Sequence, residues 1–272
     1  MQDFRLVEEN GIVTLKCCKF EEFKEIAHGF STRHGGVSTG DCASLSFAYN
    51  KEPEAVVDEN FRRFSLANQL PFESLVLTHQ THTANVAEVG AEYLHRGRDR
   101  TLRETDGVVT AQAGLGLCCF TADCVPVLLV DPVHRVVGAV HSGWRGTVGK
   151  ITANAVEKMV ALGASRETLY AAIGPAIGPC CFEVGPEVQA EFEKVFGAGL
   201  PPVPSSREGH FMVDLWTANE QVLLGVGVAK ERIFTAKICT FCNNSDYFSH
   251  RYTNGRRGSL VSAIAVKEGD DV

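Results

Sequence analysis

The sequence predicts an α/β (α+β) fold in a single domain that covers residues 1–272. Short valine-rich runs such as Val125 to Val130 and Val136 to Val140 are typical of buried strands, and they alternate with segments of helical periodicity. The chain has 272 residues, of which 44% are hydrophobic, enough for one large core. No internal repeat, low-complexity tract or linker divides it. The expected architecture is therefore one layered unit.

The first half of the chain is predicted to be strand-rich with one helix. Residues 4–7 and 12–16 flank Asn10-Gly11, a strong two-residue turn signal, and predict a hairpin. A helix is predicted over 53–67, because Pro53 stands near its start with acidic residues in the first turn. Further strands are predicted over 75–77, 84–89, 106–110 and 115–120. Residues 91–104 are polar and arginine-rich, which predicts a solvated loop.

The second half alternates helices and strands. After His141 a glycine turn is predicted to start a helix, whose apolar stripe consists of Val148, Ile151, Ala155, Met159 and Leu162. Helices are also predicted over 186–196 and 216–224, and strands over 169–173, 232–236 and 260–266.

Composition excludes several classes of protein. The balance of 26 Lys+Arg against 33 Asp+Glu gives a net charge of −7 without a long basic run, so no nucleic-acid partner is expected. No apolar segment approaches the length of a membrane span, and the N-terminal residues lack a signal peptide's apolar region. We expect a cytoplasmic protein with reduced thiols, as a monomer or small homo-oligomer.

Reactive residues flank the two central strands. Asp123 and Cys124 precede the first strand, and His141 follows the second. Two short antiparallel strands would bring Cys124 and His141 to one end of a sheet, where rigid backbone holds them. Thiolate and imidazole are zinc ligands. The same pair also fits a nucleophilic cysteine with a histidine base, or a buried thiol with unrelated histidines.

Two histidines and two cysteines elsewhere are further metal candidates. His79 and His82 stand three positions apart at the end of a predicted strand, where the rings diverge, so only one is expected to be a ligand. Cys239 and Cys242 have the spacing of half a zinc site but lack a second half nearby. The adjacent pair Cys180-Cys181, like the pairs at 17–18 and 118–119, is predicted to be buried and inert, because neighbours in a strand point to opposite faces.

Three residues are predicted to bind an anion such as phosphate. Arg33 and Ser38 belong to a glycine-rich turn whose amides can contact an anion. Arg145 lies beside His141, where the N-terminus of the helix that begins near Gly146 favours negative charge.

Taken together, these motifs resemble the YfiH/YlmD family, also called the laccase-domain, polyphenol oxidase or purine nucleoside phosphorylase family. The segments that carry the resemblance span nearly the whole chain: residues 28–38, 80–82, 121–126, 139–147, 172–181 and 248–251. The resemblance implies a layered sandwich with mixed β-sheet, similar to toxin deamidases that use cysteine and histidine. It also implies a metal, usually zinc with copper as the alternative, held by His82, Cys124 and His141.

The activity that the resemblance implies is that of a transferase and hydrolase of purine nucleosides. It comprises phosphorolysis of adenosine, inosine, guanosine and S-methyl-5′-thioadenosine to the base and (methylthio)ribose 1-phosphate, and deamination of adenosine to inosine. Asp123 is a candidate general base, or the partner that fixes a histidine tautomer. The alternatives are a cysteine hydrolase or amidase with Cys124 as nucleophile, and a copper-dependent polyphenol oxidoreductase. Nine histidines without a His-x-His repeat argue against multicopper chemistry.

Two departures from the family pattern bear on the substrate pocket. The chain has Ser44-Leu45 where the family usually has an Asn-Leu step, and Arg251-Tyr252 where it usually has two arginines. Neither departure involves the three ligands. Both concern the substrate pocket, and they therefore bear on which substrate the protein prefers.

Overall fold

The computed structural model describes residues 3–93, 99–201 and 203–269. The strands within these residues are β1 (Phe4–Glu9), β2 (Ile12–Cys17), β3 (Ile26–Ser31), β4 (Leu75–His79), β5 (Val86–Glu88), β6 (Asp99–Arg103), β7 (Gly107–Thr110), β8 (Gly116–Thr121), β9 (Val125–Asp131), β10 (Val136–Ser142), β11 (Tyr170–Ile173), β12 (Glu183–Val184), β13 (Val203–Pro204), β14 (Phe211–Met212), β15 (Ile233–Thr235) and β16 (Leu260–Val266). The α-helices are α1 (Cys18–Glu21), α2 (Glu54–Asn68), α3 (Trp144–Val148), α4 (Ile151–Ala161), α5 (Pro186–Phe196), α6 (Leu215–Gly225) and α7 (His250–Thr253).

The strands form two large mixed sheets and one small sheet. The seven-stranded sheet has the order β1-β2-β3-β16-β8-β4-β6, and the six-stranded sheet has the order β15-β11-β9-β10-β7-β5. Parallel pairs occur in both, between β4 and its neighbours β6 and β8 and between β11 and β15, for example. The predicted mixed sheet is confirmed.

Alternating side chains on β9 show how the layers stack. Leu128 and Val130 are fully buried against residues of the seven-stranded sheet, such as Leu117. Val127 and Leu129 point the other way, into a core that includes Ile151 and other residues of α4. Because both faces of β9 are apolar, the six-stranded sheet is covered by the seven-stranded sheet on one side and by helix α4 on the other. Helix α2 packs in the same way on the outer face of the seven-stranded sheet, so the predicted layered sandwich is confirmed as α/β/β/α.

Local sequence signals correctly predicted the positions of several elements. The β1–β2 hairpin turns at Asn10 and Gly11 with φ of 53° and 76°, as a type I′ turn requires, and Glu9 pairs with Ile12. The helix over 186–196 and the strand over 260–266 have the predicted bounds.

Two local predictions need correction. The single helix expected after His141 is divided into α3 and α4, because Lys150 takes a left-handed conformation with φ of 56°. The predicted loop over 91–104 contains the strand β6, which pairs in parallel with β4; residues 94–98 of that segment lie outside the described residues.

Within the described parts of the chain, no helix combines the length and the apolar character needed to cross a membrane.

Candidate active site

The three predicted ligands meet where the chain passes from one large sheet to the other. β8 belongs to the seven-stranded sheet and β9 to the six-stranded sheet, and Cys124 ends the short turn between them. Asp123, in that turn, has a φ of 86°, an uncommon value for a residue other than glycine. The crossover therefore holds the Cys124 thiol at the common edge of both sheets.

His141 is fixed by the sheet and by a buried carboxylate. It lies near the end of β10, opposite Pro126 of β9, and only 3% of its surface is exposed. Its Nδ1 lies 2.7 Å from Oδ1 of Asp106, the residue just before β7. A proton shared on that side leaves Nε2 as the free ring nitrogen, the arrangement found behind metal-bound histidines.

His82 reaches the site from a tight loop after β4. Its φ is 63°, and the loop is held by the same carboxylate: the backbone N–H groups of His82 and Thr83 donate to Asp106 at 3.0 and 2.9 Å. Asp106 thus orients one histidine through its ring and the other through its backbone.

The distances fit a metal with nitrogen and sulfur ligands. His82 Nε2 lies 3.8 Å from Cys124 Sγ, and the ligand atoms of His82, Cys124 and His141 all lie within 4.8 Å of one another. In a tetrahedral zinc site the sulfur and nitrogen ligands lie about 3.5 Å apart. One thiolate and two imidazoles leave a fourth position for substrate or water, as catalytic zinc sites require. The donor set therefore fits a metal ion.

The charges of the cluster also suit a thiolate ligand. Burial raises the pKa of Cys124, but His141 and His82 outweigh burial and bring that pKa down to about 6. Burial lowers the pKa of His141, whereas Cys124 and Asp106 together raise it to about 9. The protein without metal is thus expected to hold a thiolate beside an imidazolium.

Gly143 is needed for the close approach of these side chains. A Cβ at this position would lie 2.9 Å from Cδ2 of His82 and 3.2 Å from Sγ of Cys124. The lack of a side chain at Gly143 lets the chain leave β10 directly beside the cluster.

A cavity of about 820 Å³ opens over the cluster, a size typical of small-molecule sites. Apolar and aromatic side chains form part of its wall: Phe47, Tyr49, Phe120, Ile177 and Phe182. Basic side chains form another part: Lys51, His250, Arg251 and Arg257. The cavity can therefore receive a molecule with a flat apolar part and an anionic part.

Asp123 lies beside the cluster, but its carboxylate is hydrogen-bonded to the surrounding loops. Its carboxylate accepts hydrogen bonds from Thr240 Oγ1 at 2.6 Å and from the backbone N–H of Arg251 at 2.7 Å. The carboxylate that contacts a cluster histidine is Asp106, so the tautomer-fixing contact predicted for Asp123 belongs to Asp106 instead.

The three predicted phosphate-binding residues do not line this cavity. The Arg33 guanidinium donates to the carbonyls of Ala43 and Asn244, and Ser38 is buried and accepts from Asn60. Arg145 is exposed and stacks on Trp144 at 4.2 Å. The helix after Gly143 has only five residues, so it offers little dipole for an anion.

Sequence reasoning missed Asp106 and the basic residues of the cavity. Asp106 is the first residue of the strand predicted over 106–110, and an acidic residue at the start of a buried strand is the only local signal for it. Arg257 belongs to a basic run near the C-terminus with no local motif. Of the pair His79 and His82, the structure brings His82 to the cluster, whereas His79 lies on the cavity wall.

Fold and cluster together define the class of protein: a layered α/β enzyme whose candidate active site joins one cysteine and two histidines. A family model described as multi-copper polyphenol oxidoreductase laccase matches residues 27–267. The chain belongs to this laccase-domain family, which includes the YfiH and YlmD proteins, as its sequence motifs predicted.

Relatives and solved structures agree with this assignment. The chain is 36% identical over 255 residues to the purine nucleoside phosphorylase of Bacteroides thetaiotaomicron, covering 90% of this chain and 93% of that protein. It is 34% identical over 265 residues to adenosine deaminase RL5 from an unknown prokaryotic organism, covering 94% of this chain and 100% of that protein. The crystal structure of YlmD from Geobacillus stearothermophilus has a TM-score of 0.89 and 32% identity, covering 98% of this chain and 100% of that chain. These names support the prediction that the chain is an enzyme.

Proposed function

We propose that the protein is a zinc-dependent purine nucleoside enzyme. Its reactions are phosphorolysis of adenosine, inosine, guanosine and S-methyl-5′-thioadenosine to the base and (methylthio)ribose 1-phosphate, and deamination of adenosine to inosine. The observation that carries the proposal is the placement of the His82–Cys124–His141 cluster under a cavity with both an aromatic and a basic wall. The names of the relatives agree with it.

The three residues of the cluster would hold the zinc ion. Zinc bound there would supply Lewis-acid polarisation of an oxygen on a water molecule, a nucleoside or phosphate. In the zinc-bound form Asp106 would accept the Nδ1 proton of His141, so that Nε2, after losing its own proton, would serve as the ligand. Cys124, already favoured as the thiolate, contributes negative charge without having to lose a proton near neutral pH.

Phosphate is assigned to the basic wall of the cavity. Arg257 is half-buried and anchored through Nη1 to the carbonyl of Gly258 and to Ser259 Oγ, both at 2.9 Å. Its Nη2 makes a longer contact of 3.4 Å with Nδ1 of His250. A fixed guanidinium with a weakly engaged nitrogen is well suited to a phosphate oxygen. Arg251 adds a second positive charge at the same wall.

The apolar wall is assigned to the purine. Phosphorolysis breaks the bond between ribose C1′ and the base and forms a bond from C1′ to a phosphate oxygen, while the base leaves with a proton. Aromatic rings such as those of Tyr49 and Phe182 can contact the purine face and hold that bond near the phosphate.

Product analysis tests the proposal. Purified protein is incubated with adenosine with and without phosphate, and the products are separated by chromatography. Adenine with ribose 1-phosphate is expected only when phosphate is present, and inosine is expected in both cases. The absence of all of these products, for every nucleoside named above, would refute the proposal.

A pair of arginine variants tests the phosphate assignment. We expect Arg257→Gln to lower kcat/KM for phosphate by about 10- to 100-fold, the equivalent of a lost hydrogen bond to a charged group. Deamination, which needs no phosphate, should change far less. The neighbouring Arg256→Gln is the control, because Arg256 is exposed and does not line the cavity.

One observation favours a second function, that of a cysteine hydrolase. Cys124 lies next to two histidines, and a thiolate with an adjacent base can act as a nucleophile without metal. Full activity after metal removal, together with a covalent substrate adduct on Cys124, would establish this function in place of the zinc enzyme. Copper in the purified protein and oxidation of a polyphenol would support the oxidoreductase alternative.

A further inference from the structure

Four cysteines form a second cluster that the proposed reaction does not use. The sulfur atoms of Cys180, Cys181, Cys239 and Cys242 all lie within 4.8 Å of one another. Cys242 Sγ lies 3.4 Å from Cys181 Sγ and 3.7 Å from Cys180 Sγ. Cys180 and Cys181 thus supply the second pair of thiols that the sequence near Cys239 and Cys242 does not contain.

The backbone explains why adjacent cysteines converge here. Cys180 and Cys181 lie in a turn rather than a strand, so the rule that neighbouring side chains point to opposite faces does not hold for them. The second pair is brought alongside by a parallel bridge between Ala176 and Cys239, with Thr240 N donating to Ala176 O at 3.1 Å. Two loops far apart in sequence therefore present four thiols to one point.

The spacing of the sulfur atoms suits a metal ion. With zinc–sulfur bonds of about 2.3 Å, the sulfur atoms of a tetrahedral site lie about 3.8 Å apart. The two distances at Cys242 lie close to this value. In addition, the backbone N–H of Gly178 donates to Cys239 Sγ at 3.2 Å, a bond that stabilises negative charge on sulfur.

Gly178 is also required for the close packing of this loop. A Cβ there would lie 2.6 Å from the Trp216 ring and 3.2 Å from Cβ of Cys239. The loop is thus pressed against a fixed part of the core, which holds the thiols in place before any ion binds.

We propose that these four cysteines bind a structural zinc ion, separate from the ion at His82, Cys124 and His141. A site with four thiolates has no open position, so it would serve to hold structure rather than to react. Binding would displace the thiol protons to solvent.

The cluster would brace one wall of the active-site cavity. Ile177 and Phe182 line that cavity and belong to the loop that carries Cys180 and Cys181. Ile177 N donates to the carbonyl of Asp123 at 2.9 Å, and Thr240, next to Cys239, donates to the carboxylate of Asp123. An ion that joins the two loops would therefore steady the turn that holds Cys124.

Metal content per chain tests the proposal directly. Protein purified from zinc-supplemented medium is expected to contain about two zinc ions per chain, and Cys242→Ser about one. His82→Ala should also contain about one, and the double variant close to none. Cys18→Ser, which removes a half-buried thiol outside both clusters, should match the wild type. Because Cys242 is exposed, its replacement by serine should not prevent folding.

Cobalt substitution distinguishes the two sites independently of activity. In the His82→Ala background, bound cobalt(II) is expected to show the strong sulfur-to-metal absorption of a tetrahedral site with four thiolates, and Cys242→Ser should abolish it. The proposal is overturned if Cys180→Ser and Cys242→Ser both keep the wild-type metal content. It is also overturned if peptide mapping finds a disulfide between Cys181 and Cys242 in place of the metal. Neither result depends on the nucleoside reaction.

Discussion

Replacement of Asp106 by asparagine is the most informative single change at the candidate active site. The buried carboxylate of Asp106 accepts five hydrogen bonds. Oδ1 contacts His141 Nδ1 at 2.7 Å and the N–H of His82 at 3.0 Å, and Oδ2 contacts the N–H groups of Thr81 and Thr83 and the Thr83 hydroxyl. Burial raises the pKa of Asp106, but the bonds from His141 and Thr83 hold it well below its usual range. The residue is therefore charged at neutral pH.

Asparagine has the same shape but only one acceptor oxygen. If its NH₂ group replaces Oδ2, two backbone donors of the His82 loop lose their partner. If it replaces Oδ1, His141 must accept at Nδ1, and the proton moves to Nε2 and blocks the ligand position. Each unsatisfied buried donor costs about 1–3 kcal/mol, so the loss of partners for two donors should lower the free energy of unfolding by about 2–6 kcal/mol. Loss of such a carboxylate partner typically lowers metal affinity or activity by about 10- to 100-fold.

Asp131→Asn is the matched control. Asp131 is equally buried and also accepts five hydrogen bonds, including one from a histidine, His134, at 2.7 Å. It lies at the far end of β9 from Cys124, a distance of about 20 Å at the rise of an extended strand.

Urea unfolding, zinc titration and adenosine turnover are measured for both variants. Both are expected to be destabilised to a similar extent, but only Asp106→Asn should lose zinc affinity and activity. Equal zinc affinity in the two variants would show that Asp106 does not position the ligands.

Further outcomes are expected at Gly143, at the proposed zinc site as a whole and at the buried His28. Gly143→Ala should lower zinc affinity at least about tenfold, because the added Cβ would crowd His82 and Cys124. Gly225→Ala is the control, since a Cβ there would have no neighbour within 4 Å, and isothermal titration measures zinc affinity in both variants. Dipicolinate treatment of the wild type should abolish turnover and added zinc should restore it; turnover that survives metal removal would contradict the zinc function. Burial holds the pKa of His28 well below 6.5, so only the unfolded chain takes up its proton as pH falls below that value. Below pH 6.5 the free energy of unfolding of the wild type should therefore fall by up to about 1.4 kcal/mol per pH unit more than that of His28→Gln. Urea unfolding at several pH values measures this, and the same pH dependence in both proteins would disprove it.

The arginine predictions show why a local motif is weak evidence for a binding site. Arg33 stands in a glycine-rich turn, which by itself fits an anion site, but its guanidinium is used by the carbonyls of Ala43 and Asn244. Asn244 is more than two hundred residues away in sequence, and no local pattern reveals that it comes alongside. Arg257 has no motif of its own, yet the return of the chain to β16 places it on the cavity wall.

The sequence by itself determined the elements whose signals are local. The apolar runs of β9 and β10, the turn at Asn10-Gly11 and the helix from Pro186 report backbone preference and burial within a few residues. Those two strands also predicted that Cys124 and His141 lie at one end of a sheet, and the register confirms it. The family motifs added His82 and the sandwich architecture.

Only the tertiary structure decided which distant groups serve the site. Asp106 joins the His82 loop to His141 because β4 and β10, in different sheets, end at the same edge. Cys180 and Cys181 meet Cys239 and Cys242 because a parallel bridge aligns two loops. Such pairings depend on how the sheets stack and cross, which is a property of the whole core rather than of any short segment. The residues that hold the candidate ligands in place were therefore visible only once the layers were assembled.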